Sequence, residues 1–373
     1  MMNGRHPIFV QYRIVVSPMP IFDLSRVRRP EILELLGRIK TQREEALGLF
    51  LRQAGSQGRD FAKLWSKVVR INQSWFRQEE MKDKLDSDER LFLAQMHRFS
   101  VEHRTRTLLA QDGDQDVEVT TVDAGGVPAE WQPPPGSDPN RILLYIHGGG
   151  FILGSPNSVR HLTIAIGQHT GRRVLSLDYR LAPEHPFPAA VDDVCAAYGW
   201  LLDQGIESKD VVVAGESAGA YLALMLLLQA RDRGWPLPAG SVCLAPVTDL
   251  AYTGQSYYTN AVTDPVLADV GVFWWGDAFL SGQPNDRPET SPFYANLEGL
   301  PPLLIQASTS EMLYDDARAF SEKAQASGVD VTFQTWDHTL HAFHYFLELP
   351  ETQEALGKIA AFTARLDSGR PTT

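Results

Sequence analysis

The sequence predicts an α/β fold, with a doubly wound, mostly parallel sheet and a helical cap. From residue 142 onwards, short apolar runs alternate with helical patterns, which is typical of parallel strands joined by helices. These runs are apolar almost throughout, as expected of strands that are buried on both faces of a sheet. Residues 23–110, in contrast, contain helical patterns and no strand pattern, so we expect them to form the cap.

Three sets of apolar residues at helical spacing predict the helices of the N-terminal region. They lie around residues 32–39, 61–71 and 91–99. The pattern then changes. Residues 117–124 alternate between apolar and polar as in a strand, and the proline-rich residues 130–140 predict a loop or a hairpin.

Six further strands and four helices are predicted for the rest of the core. The strands are expected at residues 142–146, 173–177, 211–214, 241–245, 302–307 and 331–336. The helices are expected at residues 188–203, 217–233, 314–327 and 351–366. Residues 250–296 interrupt this alternation with a stretch rich in Tyr and Trp. Because compact domains rarely contain long structureless loops, we predict a second cap segment there, with its own helix around residues 265–281.

These elements give the predicted domain organisation, in which no internal repeat is visible. Residues 1–110 form an N-terminal helical cap region, and residues 111–249 form the first part of the core. Residues 250–296 form the second cap segment, and residues 297–373 complete the core.

The composition is that of a globular, acidic chain. Its 373 residues are 43% hydrophobic and 21% charged, and the formal net charge is −12. An acidic surface repels phosphate backbones and anionic membranes, so we expect no nucleic-acid partner and no stable membrane anchor. Residues 8–22 are apolar, but Arg13 interrupts them and no cleavage motif follows. We therefore predict no cleaved signal and a cytoplasmic location, with a later start at Met19 as an alternative.

The two cysteines, Cys195 and Cys243, lie in apolar stretches and are expected to be buried free thiols. The sequence contains no CxxC motif and no cysteine–histidine cluster of the kind that holds a structural metal. We therefore expect neither a metal nor an organic cofactor.

The central motif is Gly-Glu-Ser-Ala-Gly at residues 215–219, a GxSxG between an apolar strand and an apolar helix. At such a junction the serine adopts a strained conformation, and the flanking glycines let the neighbouring chain pass close by. The hydroxyl then lies at the carboxyl end of the sheet, where open α/β folds bind ligands. Ser217 is therefore the candidate nucleophile. The alternative is a tight turn that happens to contain a serine.

A second motif, His-Gly-Gly-Gly-Phe at residues 147–151, directly follows the strand at 142–146. Acyl transfer builds negative charge on a carbonyl oxygen, and backbone N–H groups that point at this oxygen lower the barrier. Glycines leave such N–H groups accessible, so we interpret this segment as an oxyanion loop. A flexible turn or a phosphate-binding loop is the alternative, but the GxGxxG and GxxxxGK[ST] patterns are absent.

Ser217 needs a base, and the sequence WDHTLHAFHYF after the last predicted strand offers three histidines. They are His338, His341 and His344. Only one of them can reach the serine.

The acid that orients this base is expected after an earlier strand, where Glu311, Asp315 and Asp316 occur. Asp315 and Asp316 begin a predicted helix, where acidic side chains commonly stabilise the helix N-terminus. Glu311 instead lies in the loop between strand and helix, and we therefore favour it.

Four strings of residues together resemble the hormone-sensitive-lipase-like, or HGGG, branch of the α/β-hydrolases. They are HGGGF at 147–151, DYRLAPEHPFPAAVDD at 178–193, GESAG at 215–219 and SPFYANLEGLPPLLIQ at 291–306. The resemblance covers residues 140–365 in order and spacing. It implies the α/β-hydrolase fold and a serine carboxylesterase activity, whereas residues 1–110 resemble the family only in being a helical cap region.

The resemblance also implies roles for individual residues. Ser217 falls on the family's nucleophile, and His341 falls on its catalytic histidine. Glu311 falls on the triad acid, which is usually an aspartate. The family's oxyanion donors fall on Gly149, Gly150 and Ala218. Two further positions depart from the usual pattern, namely Glu216, where Asp or Thr is commoner, and Ala342, where Gly is usual.

The caps are expected to determine the substrate. The candidate substrate-binding residues are His147, Phe151, Tyr257, Trp274 and Trp275. The aromatic members predict an apolar pocket. We expect a small-molecule ester with a small acyl or alkyl group on one side and a bulkier, aromatic or xenobiotic-type group on the other.

Other functions remain open at this stage. The same triad can hydrolyse amides, lactones or carbamates, because the leaving group decides between these reactions. The resemblance extends to plant gibberellin receptors, which have the fold but have lost the catalytic histidine. The histidine at 341 argues against that reading. A homodimer is a further expectation from the family.

Overall fold

The computed structural model describes residues 29–55, 57–77, 83–112, 117–270 and 273–368. The apolar stretch at 8–22 lies outside the described residues, as does the start of the predicted cap region. Within the described part of that region the three predicted helices are present. They are α1 (Pro30–Ala54), α2 (Phe61–Phe76) and α3 (Ser87–Asp112).

The sequence of these helices explains where they begin and which face they bury. Pro30 occupies the first turn of α1, where a missing N–H costs no hydrogen bond. Phe61, Trp65 and Val68 recur at helical spacing in α2 and are buried. The face of α2 predicted from its apolar residues is therefore the packed face.

An eight-stranded sheet forms the core. Its strands are β1 (Thr120–Asp123), β2 (Pro128–Gln132), β3 (Asp138–Ile146), β4 (Arg172–Leu177), β5 (Val211–Glu216), β6 (Gly240–Leu244), β7 (Leu303–Ser308) and β8 (Val331–Trp336). The spatial order is β1-β2-β4-β3-β5-β6-β7-β8. β2 pairs antiparallel with both β1 and β4, and the pairs from β4 to β8 are parallel. The doubly wound, mostly parallel sheet predicted from the sequence is confirmed.

Helices cover both faces of this sheet. They are α4 (Pro156–Thr170), α5 (Ala189–Asp203), α6 (Ala218–Asp232), α10 (Tyr314–Ala326) and α11 (Pro350–Ser368). Between β6 and β7 lie three shorter helices, α7 (Ser256–Thr259), α8 (Leu267–Val270) and α9 (Phe273–Leu280). Alternate residues of β3 belong to different apolar clusters, because successive side chains of a strand point to opposite faces. Leu143 packs in the cluster that includes residues of α4 and α11. Leu144 packs in the cluster that includes residues of α5 and α6.

Two elements of the core were not foreseen. Strand β2 lies partly in the segment predicted as a loop or hairpin, and it pairs with β1 through Trp131 and with β4 through Gln132. Helix α4 follows the glycine-rich loop and begins with a reciprocal capping box between Ser155 and Ser158. The single helix expected around 265–281 is present as α8 and α9, on either side of the undescribed residues 271–272.

Arg98 of α3 fixes the N-terminal helices to the core. Its guanidinium donates to the carbonyl oxygens of Ile152 at 2.6 Å and Ala182 at 2.8 Å. It also forms an ion pair with Glu184 at 2.6 Å. Because Ile152 directly follows the glycine-rich loop, this arginine holds α3 beside that loop.

Both cysteines are buried and free, as predicted. Burial raises the pKa of Cys195 to about 11 and that of Cys243 to about 12, so both thiols are protonated at neutral pH. Within the described ranges, no helix is long and apolar enough to cross a membrane.

Helix α6 leaves the end of β5 so sharply that its first turn touches β3. A side chain on Gly219 would overlap the carbonyl oxygens of Ile146 and His147. The glycine at this position therefore permits the close approach of the two segments that carry the serine and the glycine-rich loop.

We predict that Gly219→Ala lowers the free energy of unfolding by about 1–3 kcal/mol, because the added methyl group must push backbone atoms apart. Gly357→Ala is the matched control. Gly357 is exposed in the middle of α11 with open space around it, so alanine there should raise stability by roughly 0.5–1 kcal/mol. Urea denaturation of both variants measures the two effects. Equal stability of the two variants would contradict the packing argument.

Candidate active site

Ser217 lies in a strained turn between β5 and α6. Its backbone angles are φ 54° and ψ −118°, a conformation that non-glycine residues rarely adopt. The turn is held on both sides, since the Ser217 N–H donates to the carbonyl oxygen of Leu244 at 2.8 Å and its own carbonyl accepts from Tyr221. This arrangement points the hydroxyl away from the helix and into a cavity.

His341 and Glu311 approach Ser217 from the loops after β8 and β7. The Nε2 atom of His341 lies 3.1 Å from the Oγ atom of Ser217, and its Nδ1 atom is hydrogen-bonded to the Glu311 carboxylate. The same carboxylate accepts a 2.7 Å hydrogen bond from the backbone N–H of Ser308. The structure therefore aligns a hydroxyl, an imidazole and a carboxylate, each almost fully buried.

The protonation of His341 reflects two opposing effects. Burial lowers its pKa, but the hydrogen bond with Glu311 and the nearby carboxylate charges raise it more, so the pKa lies above its ordinary value of 6.5. The buried carboxylate thus stabilises the imidazolium form, and its bond to Nδ1 sets Nε2 towards the serine.

The other two candidate histidines lie elsewhere. His338 is exposed to solvent in the turn after β8. His344 is buried and contacts the Gln306 side chain at 3.1 Å, and burial lowers its pKa to about 3. Among the three histidines of this segment, only His341 reaches Ser217.

The two aspartates that the sequence analysis set aside make structural contacts. Asp315 accepts a hydrogen bond from the backbone N–H of Ser256 at 2.9 Å. Asp316 accepts from the backbone N–H groups of Thr248 and Asp249. Both aspartates therefore hold residues 248–256, where the second cap segment begins.

The glycine-rich loop presents backbone N–H groups beside Ser217. In the described part of the chain, the N–H groups of Gly149 and Gly150 have no hydrogen-bond acceptor, whereas that of Gly148 donates to the Glu216 carboxylate. The N–H group of Gly148 therefore shapes the loop and is not available to a ligand. The N–H group of Ala218 opens helix α6, where first-turn donors lack helical partners.

Gly150 allows the second cap segment to pack directly on this loop. It has φ 59°, and a side chain there would overlap the ring of Trp275 in α9. The loop and the cap are therefore in contact at the position beside the candidate nucleophile.

Glu216 has a role that sequence reasoning missed. Its buried carboxylate accepts hydrogen bonds from the hydroxyls of Tyr145 at 2.6 Å and Tyr345, in addition to the Gly148 N–H. The signal was present, because an acidic residue in a wholly buried strand requires donors nearby. The sequence did not indicate which residues these donors would be.

The cavity next to Ser217 has a volume of about 1730 Å³. Its walls include Gly148, Gly149, Gly150 and His341, together with faces of α1 and α3. Of the five residues expected to bind substrate, Trp275 lines this cavity.

The other four expected substrate-binding residues are not part of the cavity lining, because they pack against other rings. His147 stacks on Tyr179, with ring centres 4.3 Å apart, and burial lowers its pKa to about 4. Phe151 stacks on Phe279 at 3.9 Å. Trp274 and Tyr257 are likewise buried among aromatic neighbours.

Comparison with known proteins gives consistent matches. The sequence model of the alpha/beta hydrolase fold matches residues 143–345. An acetyl-hydrolase of Streptomyces hygroscopicus is 45% identical over 246 residues, which are 66% of this chain and 81% of that protein. An esterase of Acinetobacter venetianus is 38% identical over 230 residues, which are 61% of this chain and 76% of that protein. A crystal structure of an esterase from the bacterial hormone-sensitive lipase family matches with a TM-score of 0.68 and 38% identity, covering 81% of this chain and 98% of that one.

Since the family model spans more than half of the chain, the chain belongs to the α/β-hydrolases. Its branch is the hormone-sensitive-lipase-like one that the sequence motifs resemble. The chain is accordingly a carboxylic ester hydrolase.

We predict that the imidazole of His341 titrates above pH 6.5, because the Glu311 carboxylate stabilises its protonated form more than burial opposes it. In Glu311→Gln that stabilisation is removed while burial remains, so the pKa should fall. Side-chain NMR titration measures both. His147 and His344 are internal controls that should stay neutral down to about pH 5, since their pKa values are about 4 and about 3. An unchanged His341 titration in the variant would contradict the prediction.

Proposed function

We propose that the chain hydrolyses carboxylic esters through a Ser217–His341–Glu311 triad. The observation that carries this proposal is the 3.1 Å contact between His341 Nε2 and Ser217 Oγ, with a buried carboxylate on the far nitrogen of the same ring. This is the geometry in which a base activates a nucleophile and a third group orients the base.

In the first half of the reaction, Ser217 Oγ attacks the ester carbonyl while His341 takes its proton. Glu311 stabilises the resulting imidazolium. His341 then donates the proton to the departing alcohol, and an acyl-enzyme remains. In the second half, water attacks the acyl group and His341 again acts first as base and then as acid.

Negative charge on the carbonyl oxygen is stabilised by the N–H groups of Gly149, Gly150 and Ala218. The proposal is supported by the free N–H groups of the two glycines, which line the same cavity as Ser217. Each donor of this kind contributes about 3 kcal/mol to transition-state stabilisation. The fixed loop also requires little reorganisation as charge develops.

The proposed substrate has a small acyl group and a larger group on the alcohol side. Three observations support this. The Streptomyces relative is named an acetyl-hydrolase, and Trp275 fills the space beside Gly150 next to the nucleophile. The cavity of about 1730 Å³ exceeds the ~300–1,000 Å³ of ordinary ligand pockets, which leaves room for a bulky leaving group.

We predict that Ser217→Ala lowers kcat/KM for p-nitrophenyl butyrate at least about a thousandfold, because the nucleophile is lost. Ser66→Ala is the control, since Ser66 is exposed on α2 and its hydroxyl bonds only to the Ala62 carbonyl among the described residues. That control should retain wild-type activity. Undiminished hydrolysis by Ser217→Ala would overturn the proposed triad.

We further predict that p-nitrophenyl acetate and butyrate are hydrolysed with kcat/KM at least about tenfold above that for the palmitate, a difference of ~1.4 kcal/mol. The physical reason is the Trp275 ring beside Gly150, which limits the space next to the nucleophile. In Trp275→Ala this ratio should fall. A wild-type enzyme that prefers the palmitate would contradict the proposed acyl preference.

A further inference from the structure

One cation in the walls of the cavity has no partner among the residues that the structure describes. His97, Ser100, Val101, Arg104 and Thr105 line the cavity from α3, and their spacing of three and four residues places them on one face of the helix. In the described part of the chain, the Arg104 guanidinium has neither an ion-pair nor a hydrogen-bond partner. Arg104 is nevertheless only partly exposed.

Other arginines of the same lining are paired. Arg38 bonds to Glu348 at 2.8 Å, and Arg160 bonds to Glu130 at 2.7 Å. Arg104 differs from both. The charged side chain that opposes its positive charge is another cation, Arg43, which lowers the pKa of Arg104.

The carboxylates in the cavity lining are open to solvent. The described acidic residues of the lining are all exposed, and they are Glu31, Glu34, Glu45 and Glu348. The buried acids of the site, Glu216 and Glu311, do not line the cavity and already accept several hydrogen bonds each. The part of the cavity wall that Arg104 lines therefore carries a positive charge.

Arg104 lines the same cavity as Tyr345, Ser217 and His341. Its charge acts on Tyr345, and the Tyr345 hydroxyl donates to Glu216, the residue before Ser217. An ester held by Ser217 and extending along the cavity would therefore pass within reach of α3.

We propose that the ester substrate carries an anionic group, a carboxylate or a phosphate, which the Arg104 guanidinium binds away from the scissile bond. This inference rests on the proposed function of Ser217 and names its substrate class. A planar guanidinium binds either anion through two parallel hydrogen bonds, so the shared chemistry is an oxyanion.

A partly buried charge without a partner is costly, and a bound anion offsets that cost. Burial lowers the pKa of Arg104, Tyr345 opposes this effect, and the positive charge of Arg43 adds to it. An anion bound beside the guanidinium would offset both unfavourable effects through its attraction to the positive charge.

The test compares matched esters that differ only in charge. On the alcohol side, 4-acetoxybenzoate is compared with 4-acetoxybenzamide. On the acyl side, the mono-p-nitrophenyl ester of succinate is compared with that of its half-amide. We expect kcat/KM for the anion to exceed that for its neutral partner at least about tenfold in one of the two series, as a charge-assisted hydrogen bond predicts.

Arg104→Gln should reduce this preference at least about tenfold while changing kcat/KM for the neutral ester less than about twofold. Arg104→Lys should retain part of the preference for the anion. This variant replaces the glutamine variant in the test if the latter does not fold. Arg38→Gln is the matched control, because Arg38 lines the same cavity but is exposed and paired. Its preference should equal that of the wild type.

Binding to Ser217→Ala separates this inference from the proposed function, because it requires no turnover. Calorimetry with benzoate, phenyl phosphate and benzamide should show that Ser217→Ala binds one or both anions and binds the amide more weakly. The double variant with Arg104→Gln should lose the binding of the anions. The anion that binds more tightly identifies the group as a carboxylate or a phosphate.

The inference is overturned if neither ester series favours the anion, or if Arg104→Gln keeps the preference. Undiminished hydrolysis by Ser217→Ala alone would overturn the triad and leave the anion site standing on the binding result.

Discussion

A buried carboxylate, that of Glu216, joins the segments on which the site is built. It ends β5 directly before the serine, accepts from Tyr145 of β3, and binds the N–H of Gly148 in the glycine-rich loop. Through Tyr345 it also holds the segment that carries His341. Burial raises the pKa of Glu216 and the donors around it lower it, so removing any donor leaves a costly buried group. The relative positions of Ser217, the glycine-rich loop and His341 thus depend on one set of hydrogen bonds.

Much of the fold was predictable because the core strands are apolar on both faces. The runs at 142–146 and 211–214 are buried along their whole length, as expected of strands inside a covered parallel sheet. The run at 331–336 instead forms the half-buried edge strand β8. Strand β2 was missed because the prolines after it indicated a loop, whereas its partners are β1 and β4, one of them distant in sequence. Pairing with a strand that is distant in sequence leaves little trace in the residues of β2 itself. Helix α4 was missed although Ser155 and Pro156 form a recognisable start.

The candidate triad was predictable for a different reason. In a parallel sheet, loops that follow the strands meet at one edge, so the residues after β5, β7 and β8 converge. The cavity lining was not predictable in the same way. The aromatic residues of the caps pack on each other across long sequence separations, as when Trp75 stacks on Tyr258 with ring centres 4.7 Å apart. A sequence pattern identifies such residues as apolar but does not indicate which neighbour each will cover.

The packing of Trp275 on Gly150 has a consequence for how this enzyme can change over evolutionary time. In many enzymes the groups that recognise a substrate and those that stabilise the transition state belong to separate segments and can be altered one at a time. Here a cap side chain rests on the backbone of the glycine-rich loop, to which we assign the oxyanion donors. Substitutions of Trp275 that widen the substrate range would also remove its contact with that loop. A wider substrate range and a lower catalytic rate would therefore arise from the same substitution. New specificities are therefore more accessible through the α1 and α3 faces of the cavity than through α9.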